Sequence, residues 1–384
     1  MDYQAFSFFK NQCFVDGQWL ENGQSIDVLN PASGEVLTQV PLFAEQETEQ
    51  AITAAAKALP GWRALAAHER ANYLKAWHEL LIKHSEQLAY LMSLEQGKPL
   101  AEALGEISYA ASYVEWFAEE ARRIYGQTIP GHGRDKRIVV SREPIGVCAA
   151  ITPWNFPAAM ITRKVAPALA SGCTIIVKPA LETPLTALAL AALAQQAGIP
   201  DGVINVITGD AESIGKTLTA SSVVRKLSFT GSTPIGSKLM EQQLADGIEK
   251  GGEVIIGGKR HALGGTWFEP TVLINASEDM LCAKQETFGP MAPLFSFESE
   301  EQVIAQANNT EFGLAAYMFA NNINVVTRVS EALEYGMVGI NTGVISTAVA
   351  PFGGVKASGV GREGSHFGID EYTELKYRCY SISD

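Results

Sequence analysis

Three stretches near the beginning of the chain, 47–59, 68–96 and 99–125, carry apolar residues three and four positions apart in a background of Ala, Leu and Glu. That spacing lines one face of an α-helix. An extended lead precedes them, containing Phe14-Val15-Asp16-Gly17 and a turn at Asn30-Pro31-Ala32-Ser33-Gly34. Beyond residue 136 the period changes. Segment 137–143 reads as one strand of an exposed hairpin, and 145–151, 174–177, 203–207 and 226–229 are short β-branched runs separated by segments of helical composition. Repeated strand, helix, strand units of this length predict the α/β class with a doubly wound parallel sheet, ligands lying at the carboxyl ends of its strands.

The next segment, Thr230-Gly231-Ser232-Thr233-Pro234-Ile235-Gly236, is a glycine turn leading into a helix that runs to Lys250. Ile235, Leu239, Leu244 and Ile248 fall close to one face of it. A strand at 253–256 follows, and then the pattern loosens. It gives an extended 268–274, a helix at 300–308, a strand at 315–319, a helix ending near Tyr335 and a strand at 338–341. A glycine-rich loop, 351–364, and a strand-like tail, 375–382, end the chain.

A chain of 384 residues, 47% hydrophobic and 18% charged, is globular and long enough for two domains. Its net charge of −13 argues against nucleic acid or an anionic membrane surface as partner. The N-terminal MDYQAFSFFKNQ has no basic region followed by an apolar stretch, and no window reaches the length of a membrane span. Cysteines at 13, 148, 173, 282 and 379, odd in number and without paired zinc-type spacing, suit reduced thiols and a cytoplasmic setting, with no metal site expected.

Thr152-Pro153-Trp154-Asn155-Phe156-Pro157 lies between a strand and a helix, so Asn155 stands at the mouth of the sheet. Its amide suits donation to an oxyanion, and it equally suits capping of a helix that starts at Pro157. Lys178 ends the next strand, where an ammonium either reaches ligand hydroxyls and phosphates or is simply solvated. The turn from Gly231 to Gly236 lets backbone N–H groups approach a pyrophosphate, although its spacing is not the G-x-G-x-x-G fingerprint.

The strings PWNFP, GCTIIVKPA, FTGSTPIG, QETFGP and PFGGVKASGVGREG, in this order along the whole chain, resemble the aldehyde dehydrogenase superfamily. Within it, ITPWNFPAAMITRKVAPALASGC, EFGLAAYMFA and EYTELKYRCY are most similar to the succinate-semialdehyde dehydrogenases. The resemblance implies NAD or NADP as cofactor, a semialdehyde substrate and a homo-oligomer. It implies that Asn155 is the oxyanion amide, that Lys178 holds the adenine ribose, and that Gly231 and Ser232 meet the pyrophosphate. Thr152, Pro153 and Trp154 fall on the cofactor side, and Glu286 and Phe288 hold the nicotinamide ribose and ring. Arg163 pairs with a distal substrate carboxylate, where its residue type alone reads as a helix-surface arginine, and Ser346 and Phe352 line the substrate tunnel. The implied domains are 1–241, helical and dinucleotide-binding with an oligomerisation hairpin at 127–144; 242–364, a residual catalytic domain; and 365–384, an oligomerisation strand. Cofactor choice stays open: Leu181 stands where relatives place the residue that selects NAD or NADP. Glu182, one position later, either meets a ribose diol or begins the next helix.

The departure from the family lies after the glycine turn. Relatives run from this helix through a strand ending in Glu-Leu-Gly-Gly to a Gly-Gln-x-Cys loop. The glutamate is the general base and the cysteine attacks the aldehyde, giving a thiohemiacetal and then a thioester. Here Leu239-Met240-Glu241-Gln242 passes straight into Gln243-Leu244-Ala245-Asp246-Gly247-Ile248-Glu249-Lys250. On the order of a hundred residues, the size of a small domain, are expected to be missing between Gln242 and Gln243, the nucleophile and base among them. Cys148 and Cys173 read as packing residues, Cys13 and Cys379 lie near the termini, and Cys282, four positions before Glu286, is the nearest substitute. Two expectations follow: a chain without dehydrogenase activity, or a dinucleotide-binding or oligomerisation module pairing with itself or a full-length relative. The same loss is expected to bare apolar faces at 254–256, 272–274 and 338–340.

Overall fold

The computed structural model of the chain describes residues 1–231, 236–264, 267–287 and 289–382. Ser232 and Phe288 therefore lie outside the described residues. Two compact units are present: one of 1–231, 347–351 and 362–384, the other of 232–346 and 352–361.

In the first unit, Val147–Ile151 and Thr174–Lys178 are buried along almost their whole length. Their apolar runs are continuous because helices cover both faces of the sheet they form. Strand order is Val224–Phe229, Val147–Ile151, Thr174–Lys178, Ile204–Val206, Cys13–Val15, Gln18–Leu20. The first four are parallel and the last two antiparallel. Residues 1–231 thus have the doubly wound arrangement read from the sequence, with a hairpin added at one edge.

The early helices are Glu45–Ala64, Ala67–Lys83, Ser85–Gln96 and Leu100–Glu120. The expected helix at 68–96 is two helices, broken at His84, whose φ of −104° and ψ of 16° are not helical. Apolar spacing carries through the break, which is why period alone does not reveal it. A hairpin of Ser25–Leu29 with Val36–Pro41 surrounds the turn at residue 30 and had no strand signal, since Val28 is the one fully buried position in its first strand. The turn itself is an Asx turn, in which Asn30 Oδ1 accepts from the Ala32 N–H at 2.9 Å.

Gln127–Pro130, Lys136–Pro144 and Thr373–Ser381 form a second, antiparallel sheet. The C-terminal strand pairs with Lys136–Pro144 from Thr373↔Pro144 to Ser381↔Lys136, so the tail belongs to the first unit.

The second unit has a three-stranded sheet, Glu253–Ile256, Thr271–Ile274 and Met291–Pro293, and a separate parallel pair, Ala315–Met318 with Met337–Ile340. Helix Gly236–Glu249 packs on the first of these. Leu244, Leu273, Met280 and Met291 are its buried cluster, far smaller than the core of the first unit. Of the faces expected to be bare, 254–256 has Ile255 and Ile256 more than half exposed. Residues 272–274 depart from that expectation, because Leu273 is fully buried. The helix lies close against it: a Cβ on Gly247 would sit 2.7 Å from Leu273 Cδ2. Among the described residues no helix is long and apolar enough to cross a membrane.

Candidate functional site

The carboxyl ends of three parallel strands are tied together by backbone hydrogen bonds. Thr152 N–H donates to the Lys178 carbonyl at 3.1 Å, and Thr230 N–H donates to the Ile151 carbonyl at 3.0 Å. The chain leaves the sheet here as loop 152–158, which leads into helix Ala159–Ser171.

Asn155 does not cap the following helix. Ala159–Ser171 has Ala158 at its N-cap, and no side chain of that segment caps it. The orphan N–H groups of Ala158 and Ala159 donate instead to Glu106 Oε1, at 2.9 and 3.3 Å. Glu106, 3% exposed, is paired with Lys98 Nζ at 2.5 Å, and the same ammonium donates to the Asn155 backbone carbonyl at 2.8 Å. Lys98 also sits over the Phe156 ring, 4.3 Å from its centroid. The loop is therefore held through its backbone, and the Asn155 side-chain Oδ1 is buried without a hydrogen-bond partner among the described residues. Capping, the other role its amide suits, is taken by Glu106.

Lys178 is 5% exposed rather than solvated. Burial pushes its ammonium below the usual lysine range, against the attraction of Glu182 and Asp210. No hydrogen bond or ion pair of this ammonium is formed among the described residues. Thr152 Oγ1 is likewise buried and unpartnered. A cation and a hydroxyl short of partners at one edge of the sheet suit phosphate and hydroxyl oxygens, and the free Asn155 Oδ1 suits a ligand hydroxyl. They fit the sugar and phosphate groups of a dinucleotide, with Pro153, exposed Trp154 and exposed Gly231 beside them. Glu182 is exposed and does not begin the next helix as a cap. Pro184–Gln196 is capped by buried Glu95, which accepts from Leu185 N–H at 2.7 Å and Thr186 N–H at 2.8 Å.

Arg163 is not a helix-surface arginine: it is 3% exposed, with its Nε 2.5 Å from Glu363 Oε2. Lys164, fully buried, reaches the other oxygen of Glu363 and donates to Thr230 Oγ1 at 2.7 Å. A substrate carboxylate would meet Arg163 only beside, or in place of, the chain's own carboxylate.

In the second unit, Glu286 is exposed, and partial burial holds its carboxyl above the ordinary range. Its carbonyl accepts from Gln243 Nε2 at 3.3 Å, while Gln243 Oε1 accepts from Thr287 Oγ1 at 2.9 Å. Ser346 is exposed and Phe352 half-buried.

Burial pushes the Cys13 thiol up to about 11 and raises that of Cys282. Cys148, fully buried, is raised by its hydrogen bond with Cys173 and by burial. Against burial, which raises it, hydrogen bonds with Cys148 and with the Gly146 and Ile145 backbone lower the Cys173 thiol, but the residue is fully buried and out of a substrate's reach. Cys379 is exposed on the tail strand. Lys98, Glu106 and Glu363 were not read from the sequence. A glutamate within one helix and a lysine after the terminal glycine of the helix before it carry no local sign of the loop they hold fifty residues later.

Comparison with known proteins agrees with this geometry. The profile of the aldehyde dehydrogenase family matches residues 19–246 and 240–377. The NADP(+) succinate-semialdehyde dehydrogenase of Escherichia coli (strain K12) is 48% identical over 476 aligned positions, covering 98% of this chain and 99% of that protein. The glutarate-semialdehyde dehydrogenase of Pseudomonas aeruginosa is 48% identical over 479, covering 99% of each. The crystal structure of succinate-semialdehyde dehydrogenase from Burkholderia pseudomallei superposes with a TM-score of 0.96 at 44% identity, covering 100% of both chains. Relatives use either NADP+ or NAD+. A sheet that leaves unpartnered polar groups at its strand ends, and a full-length likeness to enzymes that oxidise semialdehydes, lead to one conclusion: the chain belongs to the aldehyde dehydrogenase family.

Proposed function

We propose that this chain is a succinate- or glutarate-semialdehyde dehydrogenase-like protein that binds NAD or NADP through its first unit and does not oxidise aldehydes. The observation that carries the reading is helix Gly236–Glu249, which crosses Gln242 and Gln243 without a break and leaves no loop on which a nucleophile could be mounted. Three facts support a lost segment at that join. The family profile matches in two pieces that meet at 240–246. The alignment with the Escherichia coli enzyme spans 476 positions against 384 residues here, leaving at least 92 of them without a residue of this chain. The second unit has two separate small sheets and exposed Ile255 and Ile256.

A bound nicotinamide would supply a hydride acceptor. The residues present would do the following: Lys178 and Thr152 hold sugar and phosphate oxygens, and Lys98 and Glu106 keep the 152–158 loop in place. Asn155 keeps an amide oxygen free in that loop. This set holds no thiol to form a thiohemiacetal, and its one carboxylate, Glu106, is taken up by Ala158 N–H and Lys98. The test is NAD(P)H formation from succinate or glutarate semialdehyde by the purified chain, beside calorimetric titration with both dinucleotides. Binding without turnover is expected. Turnover that disappears in Asn155→Ala would sink the proposal, and turnover that disappears in Cys282→Ala would identify a replacement thiol.

A second reading, oligomerisation through the hairpin and tail, is favoured by Leu375 and Tyr377, 69% and 60% exposed on the C-terminal strand. Light scattering after size exclusion decides it; a monodisperse monomer counts against pairing.

A further inference from the structure

At the far end of helix Ala159–Ser171 from the Asn155 loop, about 20 Å along the helix axis, the first unit contains a cavity of about 380 Å³. Its wall carries Arg63, Arg70, Arg122 and Arg142 against a single carboxylate, Glu143. Four guanidiniums around one space are at odds with a protein whose net charge is −13. Part of that positive charge is accounted for internally. Arg63 pairs with Glu143 at 2.9 Å and Arg142 with Asp370. Arg70 donates from Nε to the Ala170 carbonyl at 3.1 Å and from Nη1 to Leu65, a cation at a helix C-terminus where the dipole favours one.

Two features remain. Arg122 is exposed and forms no hydrogen bond or ion pair among the described residues. Ser171, 3% exposed, lines the cavity with an Oγ that is buried and has no partner. Burial pushes the Arg70 guanidinium below its usual range, against the attraction of Cys173 and Glu69.

We propose that this cavity is a binding site for a small multivalent oxyanion, an organic phosphate or a polycarboxylate, gripped by Arg122 and Arg70 with the Ser171 hydroxyl as the neutral donor. Planar guanidinium forks match phosphate and carboxylate oxygens two at a time, and a hydroxyl completes the donor set. The ligand sits apart from the dinucleotide site, at the opposite end of the one helix that both share. This inference does not depend on whether the chain turns over an aldehyde.

The test titrates the full chain with inorganic pyrophosphate and, separately, with citrate by calorimetry at fixed ionic strength. Each titration is repeated in Lys178→Met, so that binding at the dinucleotide site is not mistaken for binding here. Saturable 1:1 binding that persists in Lys178→Met and weakens at least tenfold in Arg122→Gln is the expected result. Pyrophosphate alone binding so assigns the phosphate source, and citrate alone assigns the carboxylate source. Arg122 is exposed, so its replacement leaves the fold intact, and Ser171→Ala, expected to weaken binding several-fold, is a second check. No saturable binding of either anion, or binding indifferent to Arg122→Gln, overturns the proposal.

Discussion

Lys98 and Glu106 form a pair, Nζ to Oε2 at 2.5 Å, whose side chains are 10% and 1% exposed, and through it a helix end and a loop are fixed by one carboxylate and one ammonium. The carboxylate closes the N-terminus of Ala159–Ser171, and the ammonium takes the Asn155 carbonyl. Removing one member of a buried pair leaves the other charge uncompensated, at a cost of about 3–5 kcal/mol. Lys98→Met should lower stability by about that amount in urea unfolding. It should also weaken dinucleotide binding, since the loop loses its anchor; unchanged affinity in the folded variant would remove the loop from the binding site.

Lys178 should contribute directly to the ligand. Lys178→Met removes one charge-assisted hydrogen bond, about 1.5 kcal/mol or more, and should weaken NAD or NADP binding roughly tenfold. Stability should rise rather than fall, because a buried cation without a partner is replaced by an apolar chain of similar length. Calorimetry and thermal unfolding on one preparation read both effects.

Glu95 gives a pH signature. Burial raises its carboxyl to about 7, against hydrogen bonds from Thr186 and Leu185 that favour the anion. The folded pKa lies above the unfolded value, so the native state holds the extra proton between the two. Stability from this group is therefore present at low pH and is lost as pH rises from about 4.5 to about 7, by roughly 3 kcal/mol. Glu95→Gln should flatten the stability profile across that window relative to the parent chain, while the helix at Pro184–Gln196 keeps an acceptor oxygen for its N-terminus.

Thiol labelling separates the five cysteines. With iodoacetamide at neutral pH, Cys379 should be modified first, Cys282 slowly, and Cys13, Cys148 and Cys173 only on unfolding. Mass spectrometry of the alkylated chain should show a single fast adduct that disappears in Cys379→Ser. Rapid modification of Cys282 would contradict its raised pKa.

The two units should differ in exchange. Amides of Thr271–Ile274, over a cluster of four buried residues, should lose protection before those of Thr174–Lys178. Equal protection would mean that the second unit has a larger core than its own contacts provide.

Much of this arrangement was legible in the sequence because local periodicity and local packing coincide there. The parallel strands are buried on both faces, so Ile175, Ile176 and Val177 show as a run, and Gly231 marks a strand end by its type. The break at His84 was hidden because both helices face the same core. The hairpin at Ser25–Leu29 was hidden because it buries so little. Among site residues, Thr152, Asn155 and Lys178 stand at strand ends, where topology alone places chemistry. Arg163 was legible as a charge but not as one already paired, since Glu363 comes two hundred residues later. Glu106 and Glu95 act on helices, and Lys98 on a loop, that follow them by fifty to ninety residues, a dependence that no window along the chain contains.

The C-terminal strand also sets an order of events during synthesis. Tyr372 is buried, its carbonyl accepts from Ile145 N–H at 3.1 Å, and Thr373–Ser381 then closes on Lys136–Pro144. The first unit is therefore discontinuous: its last pieces leave the ribosome only after all of the second unit. Residues 1–231 must wait, with Ile145 and one edge of Lys136–Pro144 unpaired, for contacts more than two hundred positions away, the kind that folds slowly and exposes edges meanwhile. Shortening the second unit, by whatever route, shortens that wait.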